Sequence, residues 1–231
     1  MQRPTITNST KEIQKIRPYE SISDVSANSI SIQAKSTWTI FNYCDKLLTM
    51  EIIQPAEAAA FDVAGICNID PALVRFSLQF RDYCAQDKCG YYGKNWMCPP
   101  AVGEFEVLMA RIGQYRECIV FQTIHPVQDS RDKGVIREAF RKHNEALKNI
   151  KLYICERHGV KDLLALGGGP CRQCETCSAT TNQSCRNPEE AVASLESYGI
   201  DVGALMATCN MPYSFAQKTI TLVGAVFYNE H

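Results

Sequence analysis

Three thiols at a two-residue spacing constrain this chain more than anything else in it. The stretch reads Gly167-Gly168-Gly169-Pro170-Cys171-Arg172-Gln173-Cys174-Glu175-Thr176-Cys177, and a fourth thiol follows at Cys185, just ahead of Pro188. One tight loop with this spacing can aim three sulfurs at a single centre while the fourth closes the cage. Bacterial ferredoxins use a C-x2-C-x2-C run followed by a cysteine next to a proline. Structural zinc sites more often show two separated C-x2-C knuckles. The run therefore favours a [4Fe–4S] cluster held by Cys171, Cys174, Cys177 and Cys185, with zinc as the alternative. Disulfides rank last, because nothing in the chain reads as secreted. The three glycines let the backbone take positive φ and bring N–H groups close to a ligand, so amides aimed at cluster sulfurs are expected. No Lys-Ser/Thr pair follows them, which weakens a phosphate-cradle reading.

Composition matters here for what it rules out. At 231 residues and 45% hydrophobic, the chain can build a real core without cysteine staples. Its net charge of -1 gives no global reason to expect nucleic acid or an anionic membrane as partner. No apolar run approaches a membrane span. The polar N-terminus lacks the apolar segment of a signal peptide. Twelve cysteines in such a chain read as metal ligands, in a cytoplasmic and oxygen-poor setting.

Along the chain, residues 1–36 read as a polar tail or arm, and 37–231 as one cysteine-rich metal-binding domain. Thr37 to Tyr43 is apolar enough to dock on the body. Residues 55–65 read as a helix with Pro55 in its first turn and Gly65 at its end. Asp70-Pro71 caps a further helix running to Cys84, although Val74, Phe76, Leu78 and Phe80 alternate like a strand. Helices are expected over 104–112, 131–158 and 188–198, the last capped by Asn187 and stopped by Gly199. In the long one, Ile136, Phe140, Leu147 and Ile154 form the apolar stripe, and Glu138–Lys142 is an i,i+4 pair. Strands are expected over 117–124, 162–166 and 218–228. Together these give an α/β (or α+β) sandwich, a small and mostly central sheet flanked by helices, with cysteine-rich metal-binding loops.

A second group of thiols lies in Cys84-x4-Cys89-x8-Cys98-Pro99-Pro100. Gly90 and Gly93 permit tight turns, and the proline pair prevents a regular ladder after Cys98. Three thiols with no obvious fourth suggest a metal centre with an open position, or one closed by Cys209. Buried free thiols are the plain alternative. The stretches Cys84…Cys89-Gly90…Tyr92-Gly93-Lys94-Asn95-Trp96…Cys98-Pro99-Pro100 and Gly167…Cys171…Cys174…Cys177…Cys185…Pro188 resemble the "predicted metal-binding protein" family, a domain of unknown function (2284). The match continues through Ser194-Leu195-Glu196-Ser197-Tyr198-Gly199-Ile200-Asp201-Val202 and covers roughly residues 65–228. That resemblance implies metal binding and specifies no reaction.

Two functional readings follow from the thiols. One is an iron–sulfur protein with one or two [4Fe–4S] clusters per chain. It would pass electrons to a redox partner protein, or act on a small-molecule substrate in reductive or sulfur-handling chemistry at an open iron. The other is a structural zinc module that mediates partner binding. Cys44, Cys67, Cys118 and Cys155 are expected to be buried thiols. His125, His143, His158 and His231 are scattered, and satisfied or exposed histidines are expected rather than ligands. Lys94 and Arg172 lie within the cysteine loops, where each could offset thiolate charge or face water.

Overall fold

A computed structural model describes residues 60–129, 131–213 and 218–229, with the side chain of His158 left out. The expected arm over 1–36, the docking stretch 37–43, Cys44, His231 and most of the helix expected over 55–65 lie outside the described residues. Within them a five-stranded mixed sheet carries helices on both faces, the α/β class expected from the sequence. The strands are β1 (Gly65–Ile69), β2 (Glu117–Pro126), β3 (Leu163–Gly167), β4 (Ala193–Ser194) and β5 (Thr219–Tyr228). Their order is β1-β2-β5-β3-β4, all antiparallel except the β3–β4 pair.

The long apolar strands sit inside the sheet because both of their faces are buried. From Cys118 to Phe121 alternate side chains go to opposite sides: Cys118 and Val120 join one core, Ile119 and Phe121 the other. β5 does the same with Ala225 and Phe227 against Val226 and Tyr228. The second face is covered by α3 (Lys133–His158), through Ala146, Leu147, Ile150 and Ile154. The first is covered by α2 (Phe105–Ile112), by α4 (Val202–Thr208) and by residues 195–200. Arg141 takes Glu138 at 2.7 Å and Glu145 at 2.8 Å, so the expected Glu138–Lys142 pair gives way to a guanidinium that reaches both carboxylates.

Three stretches depart from the sequence expectation. The helix expected from Asp70 splits in two. Asp70 does cap, accepting from the Ala72 N–H at 2.8 Å, but only over a 3-10 turn, Pro71–Leu73. Val74 to Ser77 is then extended, with Phe76 bridging to Ile200, before α1 (Leu78–Ala85) starts on its own cap, Ser77. The strand-like alternation therefore holds only as far as Phe76, and Leu78 starts the helix with its side chain exposed. The helix expected over 188–198 is absent: strand β4 and a 3-10 turn (Glu196–Tyr198) stand in its place, with Gly199 at φ 75°. Pairing with β3 outweighed the local signal. The helix lies further on, at α4, where the Asp201 side chain accepts from the Ala204 N–H at 2.9 Å. β1 was unforeseen, and Gly65, expected to end a helix, opens that strand.

The topology places the cysteines. β3 and β4 are parallel neighbours, with Leu166 opposite Ala193 and Gly167 opposite Ser194. Parallel neighbours need a long crossover, usually a helix. Here the connection is the four-cysteine segment itself, whose only regular element is a 3-10 turn, Ser178–Thr181. Both of its ends are therefore fixed at one edge of the sheet.

Candidate metal centre

Cys171, Cys174, Cys177 and Cys185 are all half-buried and line one cavity of about 170 Å³. Its opposite wall comes from the other cysteine loop: Gly90, Tyr91, Lys94, Asn95, Trp96 and Met97. The two groups of thiols, far apart in sequence, thus belong to one neighbourhood. Three polar contacts join them. Asn95 is 2% exposed, and its Nδ2 donates to the Cys171 carbonyl at 2.9 Å while its Oδ1 accepts from the Met97 N–H at 3.0 Å. Trp96 Nε1 donates to the Gln183 carbonyl at 2.9 Å. Arg172 Nη1 donates to the Tyr91 hydroxyl at 3.2 Å.

Arg172 is also held by two rings. Its guanidinium carbon lies 5.4 Å from the centre of the Tyr91 ring and 4.5 Å from that of Phe140 on α3. It stays exposed to water, has no ion pair among the described residues, and rests between the loop and the helix. Gly169 makes room for this: at φ 68°, a Cβ there would lie 2.7 Å from the Phe140 ring. Lys94 instead pairs with Asp87 at 2.9 Å, and Asp87 also accepts from the Tyr92 N–H at 2.9 Å, so this pair shapes the loop between Cys89 and Cys98. Gly90 and Gly93 take positive φ there, as expected from the sequence.

The Gly168 amide is not aimed at a sulfur. It donates to Nε2 of His143 at 3.3 Å. His143 is 0% exposed, stacked on Phe121, and its Nδ1 lies 2.9 Å from Thr123 Oγ1, which His125 Nε2 approaches at 3.0 Å. Since Nε2 accepts from Gly168, the ring proton sits on Nδ1 and is donated to Thr123. Burial, with some repulsion from His125, holds the His143 pKa down at about 3. The histidine is a neutral, satisfied core group that fixes the start of the cysteine segment.

The electrostatics of the thiols agree with their grouping. Burial first, and then the nearby Cys89, Cys84, Cys171 and Cys177, push the Cys98 thiol up to about 12. Cys84 is raised by burial, Glu196 and Cys89, partly offset by Arg81. Burial also raises the Glu196 carboxyl. Five of the seven sulfurs therefore lie within electrostatic reach of one another, across both loops. Among the described residues no three His, Cys, Asp or Glu side chains are gathered tightly enough to hold a metal ion as they stand. The donor set is nevertheless one for a thiophilic metal: the cavity carries four thiols, and the Asn187 Nδ2 already donates to Cys174 Sγ at 3.2 Å.

Cys209 lies elsewhere, at the C-cap of α4, where its side chain meets Cys67, with Cys118 nearby. Cys118 is buried and Cys155 half-buried. Sequence reasoning missed Asn95 and Asn187 as site residues. A lone asparagine gives no periodic signal, though the position of Asn95 between Cys89 and Cys98 was a hint.

Among the described residues no helix is long and apolar enough to cross a membrane. No curated protein and no solved structure matches the chain. A family model described as "Predicted metal-binding protein (DUF2284)" matches residues 67–228, a stretch that contains both cysteine loops and all five strands but for the start of β1. The chain belongs to that predicted metal-binding family.

Proposed function

We propose that Cys171, Cys174, Cys177 and Cys185 hold one [4Fe–4S] cluster and that the protein transfers electrons between the cluster and a redox partner protein. The observation that carries this reading is the convergence of those four thiols on one cavity. Bound there, a cluster supplies one-electron redox chemistry.

The residues around it have separate tasks. Asn187 donates to the sulfur of Cys174, which stabilises thiolate charge and favours the reduced state. Asn95 fixes the carbonyl of Cys171, and Tyr91, Trp96 and Met97 keep water off one side. The half-buried cysteines remain close to the surface, where a docked partner can exchange electrons. Cys171, Cys174, Cys177 and Cys185 would be drawn together by a bound metal, since ligand sets of this kind are assembled together with the metal. Cys84, Cys89 and Cys98 form a second candidate centre. The Cys98 thiol, raised by burial and by the neighbouring sulfurs, would lose its proton near neutrality only where a bound cation takes the proton's place on sulfur.

The test is an anaerobic preparation with iron, zinc and acid-labile sulfide counted per chain. About four irons and four sulfides per cluster are expected, with a broad absorption that bleaches on reduction. Cys174→Ala should lose that iron, and Cys98→Ala should lose metal only if the second centre is loaded. Zinc without sulfide would replace this reading with the structural zinc module. Full iron in Cys174→Ala would overturn the ligand assignment.

A further inference from the structure

Away from the cavity, three thiols meet on one face of the sheet. Cys67 on β1 stands opposite Val120, and Cys118 on β2 stands opposite Ile69, so both cysteines face the same core. Cys209, where α4 ends, packs on that core as well, and its side chain meets that of Cys67. The segment after α4 is pinned here. The Gln122 Nε2 donates to the Pro212 carbonyl at 2.9 Å, and Met211 Sδ lies 2.6 Å from where a Cβ on Gly65 would be. Cys67 and Cys209 are each half-buried, and Cys118 is 1% exposed.

We propose that Cys67 and Cys209 are an oxidisable dithiol, converted to a disulfide by hydroperoxides. Two sulfurs already in contact on anchored backbone need little movement to bond. The two have different surroundings: Cys67 Sγ donates to the Asn68 carbonyl at 3.7 Å, while Cys209 is raised by Cys67, by burial and by Cys118. Cys67, on the edge strand of the sheet, is the attacking sulfur and Cys209 the resolving one. The Cys67 thiolate attacks one oxygen of the hydroperoxide, the O–O bond breaks, and the alkoxide leaves and takes a proton to become the alcohol. Cys67 is now a sulfenic acid. The Cys209 sulfur then displaces hydroxide from it, and that hydroxide leaves as water with the Cys209 proton. The two sulfurs lose two electrons, and the peroxide gains them. The resulting bond ties the end of α4 to β1, while Cys118, shut inside the core, stays a thiol.

The experiment uses the full chain, treated with hydrogen peroxide at neutral pH, then alkylated and digested with trypsin. Cleavage after Arg75, Arg116 and Arg186 puts Cys67, Cys118 and Cys209 on three different peptides. The expected result is joint loss of alkylation at Cys67 and Cys209, one cross-linked peptide that dithiothreitol separates, and full alkylation of Cys118. In Cys209→Ser, Cys67 should instead accumulate as sulfenic acid that dimedone traps. Cys67 and Cys209 left fully alkylated while other cysteines oxidise would overturn the proposal, as would a Cys67–Cys118 link. Neither thiol belongs to the candidate metal centre, so this outcome is independent of what that centre binds.

Discussion

Lowering the pH should weaken the protein through one buried ring. The His143 pKa is held at about 3 in the fold, against an ordinary value of 6.5. Between those values the unfolded chain binds a proton there that the folded chain does not, so stability is complete above about pH 6.5 and falls as the pH drops towards 3. At pH 5 the loss from this residue alone is about 2 kcal/mol, from about 1.36 kcal/mol per pH unit below 6.5. His143→Gln keeps groups able to accept from the Gly168 N–H and to donate to Thr123, and it has no titratable ring. It should cost about 1–2 kcal/mol at pH 7, through lost stacking on Phe121 and poorer hydrogen bonds. Urea unfolding of both proteins at pH 7 and pH 5 isolates the histidine, because carboxylates titrating in both cancel. The gap between them should close or reverse at the lower pH, a change of about 2 kcal/mol. A gap unchanged by pH, or an NMR titration of His143 near 6.5, would refute the argument.

Other perturbations test the joint between the loops. Gly169→Ala drives a Cβ into the Phe140 ring and forces a positive φ on alanine; it should cost about 1–3 kcal/mol in thermal unfolding and loosen the Arg172 clamp. Asn95→Ala strands the Cys171 carbonyl and the Met97 N–H, so about 1–3 kcal/mol of stability should go. Chelator competition on that variant should show roughly ten-fold weaker metal retention or worse. Asp70→Ala and Ser77→Ala each remove a side-chain cap, and each should cost about 1 kcal/mol in urea unfolding.

The amino-acid order alone specified the elements whose signals are local. The central strands β2 and β5 are continuous apolar runs, which only a sheet buried on both faces accommodates. The 3.6-residue stripe of α3 and the cap at Asp70 are likewise legible, because cap and periodicity act within a few residues. The cysteine spacing pointed to metal binding for the same reason, and the family match agrees with it at that level. Only the tertiary structure decided the rest. Residues 188–198 carry a helix cap and a stop, yet β3 takes Ala193 and Ser194 as a parallel partner, and pairing across the sheet outweighs propensity. The same crossover folds the four-cysteine segment back to one sheet edge, where Asn95, Trp96 and Tyr91 of the other loop meet it. Cys209 was open to the three-thiol loop by sequence, but the end of α4 brings it to Cys67. Spacing can report which sulfurs share a loop; which loops share a space depends on strand order, and no local pattern encodes that.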